Sequence, residues 1–220
     1  NQLIGMIDVF NDLHQVHQTI NVHFGSTGQQ FGYSSSLGRF TRNECSDFVV
    51  TAPLYSKLSD EGVAFVYTCN PLLDKFHETP TLLFGESSPN ARFGISVANL
   101  KDVNHDSYDD LAILAPNWYE ESPHIFVYVS SPDGFSKSFS QKIIVEKLQQ
   151  PIDVLSYGLL SQFDVNKDGV NDIAISLPNN KKVLIISGIR FTKITVLFNN
   201  LLNTSINQPH YGCYPKSDIE

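Results

Sequence analysis

Two nine-residue stretches, Asp102-Val-Asn104-His-Asp106-Ser107-Tyr108-Asp109-Asp110 and Asp164-Val-Asn166-Lys-Asp168-Gly169-Val170-Asn171-Asp172, place oxygen-bearing side chains at positions 1, 3, 5 and 9. This is donor chemistry for a hard cation. Ca²⁺ takes roughly six to eight oxygens, so one short loop must deliver several carboxylates and a backbone carbonyl without crowding. Asp102, Asn104, Asp106 and Asp110 form one candidate set, and Asp164, Asn166, Asp168 and Asp172 the other. Tyr108 and Val170, at position 7, lend their carbonyls, so their side chains are free to differ. Two Ca²⁺ sites are therefore expected. Position 6 needs a sharp turn, which suits Gly169 and makes Ser107 the more strained solution. An EF-hand would need a bidentate Glu at position 12, where Ile113 and Ile175 stand instead.

The formal charge of the 220-residue chain is −8, and six of its acids are candidate ligands in these loops. Two bound Ca²⁺ would halve that charge, so the acidity reads as metal sites. No basic surface points to nucleic acid. No apolar stretch approaches the roughly 18 residues of a membrane span, so any membrane attachment is expected from regions outside this chain. No signal peptide is visible at Asn1.

Other chemistry is weaker. Gly94-Ile-Ser96-Val-Ala98 approaches a nucleophile elbow but lacks its final Gly and any implied His or Asp partner. His14 and His17 are spaced like ligands with no third donor in sight. The adjacent pair Asp109–Asp110 points to opposite sides of a strand, which leaves Asp110 as ligand and Asp109 as a solvated charge. Trp118, Tyr119, Glu120 and Glu121 occupy a loop suited to contact or to packing. No catalytic residue is assigned, and the chain is read as a non-enzyme.

The elements that position the loops repeat. Asp47-Phe-Val-Val-Thr-Ala-Pro53, Asp110-Leu-Ala-Ile-Leu-Ala-Pro116 and Asp172-Ile-Ala-Ile-Ser-Leu-Pro178 recur at intervals of 63 and 62 residues. Phe31-Gly32, Phe93-Gly94 and Tyr157-Gly158 recur at 62 and 64. Two markers on one period mean tandem units. In each unit the Phe-Gly segment opens a strand, and the run after the loop is a second strand ended by Pro. A third follows at Val63–Thr68, His124–Ser130 and Lys182–Ser187, and a fourth near Thr81–Phe84 and Gln141–Glu146. Met6–Phe10 and Thr19–Phe24 read as the last two strands of an earlier unit. The expected fold class is all-β, with β-propeller blades of four antiparallel strands forming part of a larger ring.

In the first unit Arg39, Thr41 and Asn43 stand at loop positions 1, 3 and 5, and only Asp47 is kept. Arg in place of a carboxylate repels a cation, so no metal is expected there. Cys45 precedes one strand of this unit and Cys69 follows its antiparallel neighbour. That places the two thiols opposite one another, within reach of a disulfide that holds the blade where metal does not. Cys213 is left over and suggests a partner beyond Glu220. Asn203-Thr-Ser205 is a glycosylation sequon. Together with weak calcium sites these features point to an extracellular setting. A soluble scaffold inside the cell would need Cys45 and Cys69 reduced and Asn203 unmodified.

These markers resemble the FG-GAP repeats of integrin α subunits. Phe93-Gly94, the Asp102–Asp110 loop and Leu114-Ala115-Pro116 match the three parts of that repeat, as do Tyr157-Gly158, Asp164–Asp172 and Leu177-Pro178. The resemblance implies a seven-bladed propeller with calcium loops on the lower face of its later blades. Gly188-Ile-Arg190-Phe-Thr-Lys-Ile-Thr-Val196 is similar to the family's exit into a thigh domain, with Cys213 near the first thigh cysteine. Residues 1–188 would then be a partial propeller, and 189–220 the exit segment and the start of a thigh-like sandwich. The resemblance further implies an adhesion receptor at the outer face of the plasma membrane, with an integrin β subunit on the upper face and an extracellular protein ligand. A glycosylphosphatidylinositol phospholipase D carries a similar propeller, so an accessory module of a secreted hydrolase is the alternative.

Overall fold

In a computed structural model, the chain is described at residues 5–23, 27–57, 59–116, 123–145, 158–178 and 181–188. Fifteen short antiparallel strands carry these residues. A leading hairpin pairs β1 (Gly5–Phe10) with β2 (Val16–Val22). The first blade is a four-stranded sheet of β3 (Ser35–Gly38), β4 (Asp47–Ala52), β5 (Val63–Tyr67) and β8 (Thr81–Leu83), in the order β3-β4-β5-β8. Between β5 and β8 the chain inserts a small hairpin of β6 (Cys69–Asn70) and β7 (Lys75–Phe76).

The second blade repeats the plan with β9 (Ser96–Lys101), β10 (Asp110–Ala115), β11 (His124–Tyr128) and β12 (Gln141–Ile144). The third shows β13 (Leu159–Phe163), β14 (Asp172–Leu177) and β15 (Lys182–Ile186). Among the described residues this sheet has three strands. The exit segment 189–220, with Asn203 and Cys213, lies outside the described residues, as do Tyr157 and the aromatic loop Trp118–Glu121. Among the described residues no helix is long and apolar enough to cross a membrane.

Burial explains why these runs become strands. β4, β5, β10 and β11 are buried at every residue. A strand covered on both faces reads as a continuous apolar run, as Leu111-Ala-Ile-Leu-Ala115 does. The apolar cores lie between sheets. One cluster joins the second and third blades, a second joins the first and second, and a third joins the leading hairpin to the first. The opening strands β3, β9 and β13 lie side by side from blade to blade. Radially packed four-stranded sheets with neighbouring inner strands are the architecture of a β-propeller.

The Phe-Gly markers turn out to precede the inner strands. Gly32 and Gly94 have φ of 91° and 97°, a conformation that side chains disfavour, and β3 and β9 begin at Ser35 and Ser96. The marker's work is to join blades. Phe93 is buried, its N–H donates to the Glu61 carbonyl at 3.0 Å, and its backbone bridges to Gly62 of the first blade. The serine two residues on, read as a strand position and not a nucleophile, adds a second tie. Ser34 Oγ accepts the Val97 N–H at 3.2 Å, and Ser96 Oγ accepts the Leu159 N–H at 3.1 Å, each across to the next blade. His17 meets the Asp74 carbonyl of the inserted hairpin at 2.6 Å, and His14 sits at positive φ in the β1–β2 turn. These are surface and turn roles.

Candidate metal centre

Each Asp-rich loop connects the inner strand of a blade to its second strand. A register shift lies at the base of both, at Asp110/Leu111 and between Leu160 and Phe163, and tips the chain out of the ladder. Inside the loops the hydrogen bonds are the same, atom for atom. Asp102 Oδ1 accepts the Asp106 N–H at 3.0 Å and its Oδ2 accepts the Ser107 N–H at 2.7 Å. Asp164 accepts from Asp168 and Gly169 at 3.2 and 2.8 Å. Asn104 and Asn166 accept from the same position-5 N–H groups and donate Nδ2 to Asp106 and Asp168 at 3.0 and 2.8 Å. Asp106 and Asp168 in turn accept the Tyr108 and Val170 N–H groups at 3.0 and 2.9 Å. The turn at position 6 has φ of 85° at Gly169 and 77° at Ser107. The strain expected at Ser107 is therefore present, at a cost of about 1 kcal/mol.

Positions 1, 3 and 5 are thus knotted together by the loop's own backbone. Each carboxylate oxygen so engaged keeps a second lone pair, so the frame orients acceptors without exhausting them. Among the described residues no three His, Cys, Asp or Glu side chains already meet as a metal-holding group. The residue types and their shared frame fit Ca²⁺, whereas the side chains themselves are turned onto loop N–H groups.

Position 9 differs. Asp110 Oδ2 accepts the Val103 N–H and its Oδ1 the Ser130 N–H, both at 2.9 Å. Asp172 does the same with Val165 at 2.7 Å and Gly188 at 2.9 Å. Asp47, in the unit without an acidic loop, repeats the pattern with Phe40 at 3.1 Å and Cys69 at 2.8 Å. One carboxylate therefore ties the loop's start to the end of the third strand in all three blades. Burial pushes the Asp110 carboxyl up to about 7; the Ser130 and Val103 N–H groups oppose this, and nearby Asp106 and Asp102 add to it. Asp47 is likewise raised, chiefly by burial.

The first-blade loop is filled by protein. Thr41 Oγ1 donates to Asp47 at 2.9 Å and Asn43 Nδ2 to the Cys69 carbonyl at 2.7 Å. The Cys45–Cys69 disulfide forms, with Cα atoms 6.0 Å apart. The turn after β11 leans on this loop from the second blade. Arg42 donates its N–H to the Pro132 carbonyl at 3.1 Å and pairs with Asp133, while the Phe40 and Phe135 rings lie 5.1 Å apart. Replacing both cysteines by Ser should cost about 2–4 kcal/mol in chemical denaturation, because the bridge closes a sizeable loop. Calcium uptake should be unchanged by this double variant.

One expectation needs correcting. Asp109 is not a solvated charge. Its side chain is only 15% exposed, and Oδ2 accepts from Asn99 Nδ2 at 2.7 Å, from the Arg39 N–H at 3.2 Å and from Lys101 Nζ at 3.3 Å. Asp109 sits just before β10, held between Arg39 of the preceding blade and Asn99 and Lys101 of its own inner strand.

The FG-GAP repeat family matches residues 93–131, which span the Phe93-Gly94 marker, the second-blade loop and Ala115-Pro116. The chain is 30% identical over 148 residues to integrin alpha-4 of Xenopus laevis, covering 67% of this chain and 14% of that protein. It is 28% identical over 195 residues to integrin alpha-PS5 of Drosophila melanogaster, covering 86% and 19% respectively. It is also 28% identical over 174 residues to integrin alpha-11 of Homo sapiens, covering 76% and 14%. The chain spans less than a fifth of the length of these curated relatives.

Proposed function

We propose, from the premise that this chain is an integrin-α-like stretch of FG-GAP propeller, that it serves as a calcium-stiffened extracellular platform in an adhesion receptor. It carries no catalysis of its own. The observation that supports this reading is the identical hydrogen-bond frame in two acidic loops of adjacent blades. Asp102, Asn104, Asp106, the Tyr108 carbonyl and Asp110 would hold one Ca²⁺, and Asp164, Asn166, Asp168, the Val170 carbonyl and Asp172 the other. A bound cation supplies charge compensation and coordination in place of loop entropy. An integrin-type β subunit and a protein ligand would dock on the upper face of the completed ring. The chain from 189 onward would leave for a thigh-like domain, and Asn203 would carry glycan.

Calorimetric titration of the intact protein tests the metal assignment. Each loop should bind with a dissociation constant on the order of 10⁻⁴–10⁻³ M, the range of extracellular modules. Asp164→Ala with Asp168→Ala should remove one equivalent of Ca²⁺, and an unaltered stoichiometry would refute the site.

The chelated protein should also show a pH signature. A carboxyl whose folded pKa lies near 7, as at Asp110, favours the fold while protonated. That contribution is complete below the unfolded value of about 4 and is lost as pH rises toward 7. In chelator the melting temperature should therefore fall as pH rises from about 4 to about 7 and level off above that. Saturating Ca²⁺ should abolish the fall. A chelated melting curve indifferent to both pH and Ca²⁺ would count against the structural role.

A further inference from the structure

Position 8 of each loop belongs to no ligand set, yet in both blades its side chain bonds to the backbone of the preceding blade, as a donor at Asn171 and as an acceptor at Asp109. Asn171 Nδ2 donates to the Leu100 carbonyl at 3.1 Å, and Asp109 Oδ2 accepts the Arg39 N–H at 3.2 Å while its own N–H donates to the Arg39 carbonyl at 2.8 Å. Asn171 and Asp109 are 62 residues apart, and so are Lys101, which follows Leu100, and Arg39. Each loop therefore grips the preceding blade where that blade's inner strand runs into its own loop. The second-blade loop takes a further hold, because the Arg39 guanidinium lies over the Tyr108 ring, 5.8 Å from its centre.

We infer that Asn171 and Asp109 are positioning residues that couple a cation in one loop to the interface with the blade behind it. The inference rests on the calcium reading above and deepens it. Residue 8 is joined through planar peptides to residue 7, whose carbonyl is a donor, and to residue 9, whose carboxylate is held by two N–H groups. Ordering residues 7 and 9 around a cation orders residue 8, and a clamped residue 8 presents residues 7 and 9 ready for the cation. The coupling is reciprocal by linkage. Because the third-blade loop grips the base of the second-blade loop, its cation stiffens the second site, and the loops act in series around the ring.

Hydrogen exchange on the intact protein, with and without Ca²⁺, tests this. In the wild type Ca²⁺ should slow exchange in residues 164–172 and also in residues 99–101 of the preceding blade. The slowing at 99–101 should be roughly threefold to tenfold, the worth of one hydrogen bond. In Asn171→Ala the loop should still take up Ca²⁺ and be protected, while residues 99–101 lose their response. Protection confined to residues 164–172 in the wild type overturns the coupling alone, and needs no variant to fold. Protection at 99–101 that persists in Asn171→Ala overturns the role of this side chain. Absence of any calorimetric Ca²⁺ uptake refutes the calcium reading and the coupling with it, and is distinguishable from both.

Discussion

Asp47→Ala is expected to destabilise the first blade by about 3–5 kcal/mol while every Ca²⁺ the protein binds stays bound. The side chain is fully buried. It accepts from the Phe40 N–H, the Cys69 N–H and the Thr41 hydroxyl, and all three donors lose this acceptor once the carboxylate is gone. Each orphaned buried donor costs about 1–3 kcal/mol, and the loss falls on the loop base and the third strand together. The disulfide keeps Cys69 near Cys45, so the loop will not drift fully apart. Asp47→Asn, which keeps one oxygen acceptor, should cost less. Chemical denaturation reads the stability and calorimetry the stoichiometry. Loss of a Ca²⁺ equivalent in Asp47→Ala would show that the first-blade loop binds metal after all.

The result matters because it separates two jobs of the position-9 carboxylate. At Asp110 and Asp172 the staple and the proposed ligand coincide, so any variant there confounds them. Asp47 performs the staple without acidic neighbours at positions 1, 3 and 5. The residue's retention in an otherwise emptied loop was the signal in the sequence that position 9 does something besides metal binding.

Much of the fold is legible in the chain because a repeat constrains each unit three times over. The apolar runs at Asp47, Asp110 and Asp172, the closing Pro residues and the Cys45–Cys69 apposition all lie where the pattern puts them. What the sequence hides is lateral. Ser34, Ser96, Asp109 and Asn171 are polar residues beside a strand or a turn, and a single unit gives no reason to bury them. Their partners lie in the next or the preceding blade, about one repeat away in sequence. The hairpin β6–β7 was also invisible, because two-residue strands carry no period. It is fixed instead by Gln18, whose side-chain amide pairs with the Phe76 backbone at 2.9 and 2.8 Å, as a missing strand would.

The same lateral logic sets the second large effect. Phe93→Ala should cost about 3–5 kcal/mol, because it removes a buried ring from the seam between the first and second blades and leaves a cavity there. The ring lies 5.5 Å from Phe126 and 6.2 Å from Tyr128. Its backbone fits against Gly62 so closely that a Cβ at that glycine would stand 2.1 Å from the Phe93 carbonyl oxygen. Gly62 also has φ of +83°, so Gly62→Ala meets a steric clash and an unfavourable backbone at once. The two variants attack one seam from its two sides and should produce the same outcome, namely loss of the first blade's grip on the second. Limited proteolysis should then open the chain near residues 59–62 in both. Calcium uptake should weaken at the second-blade loop, which latches onto Arg39 across this seam, and persist at the third, which does not. A Phe93→Ala protein within about 1 kcal/mol of wild type would mean that the Phe-Gly marker is a turn signal only, and that the blades are held together elsewhere.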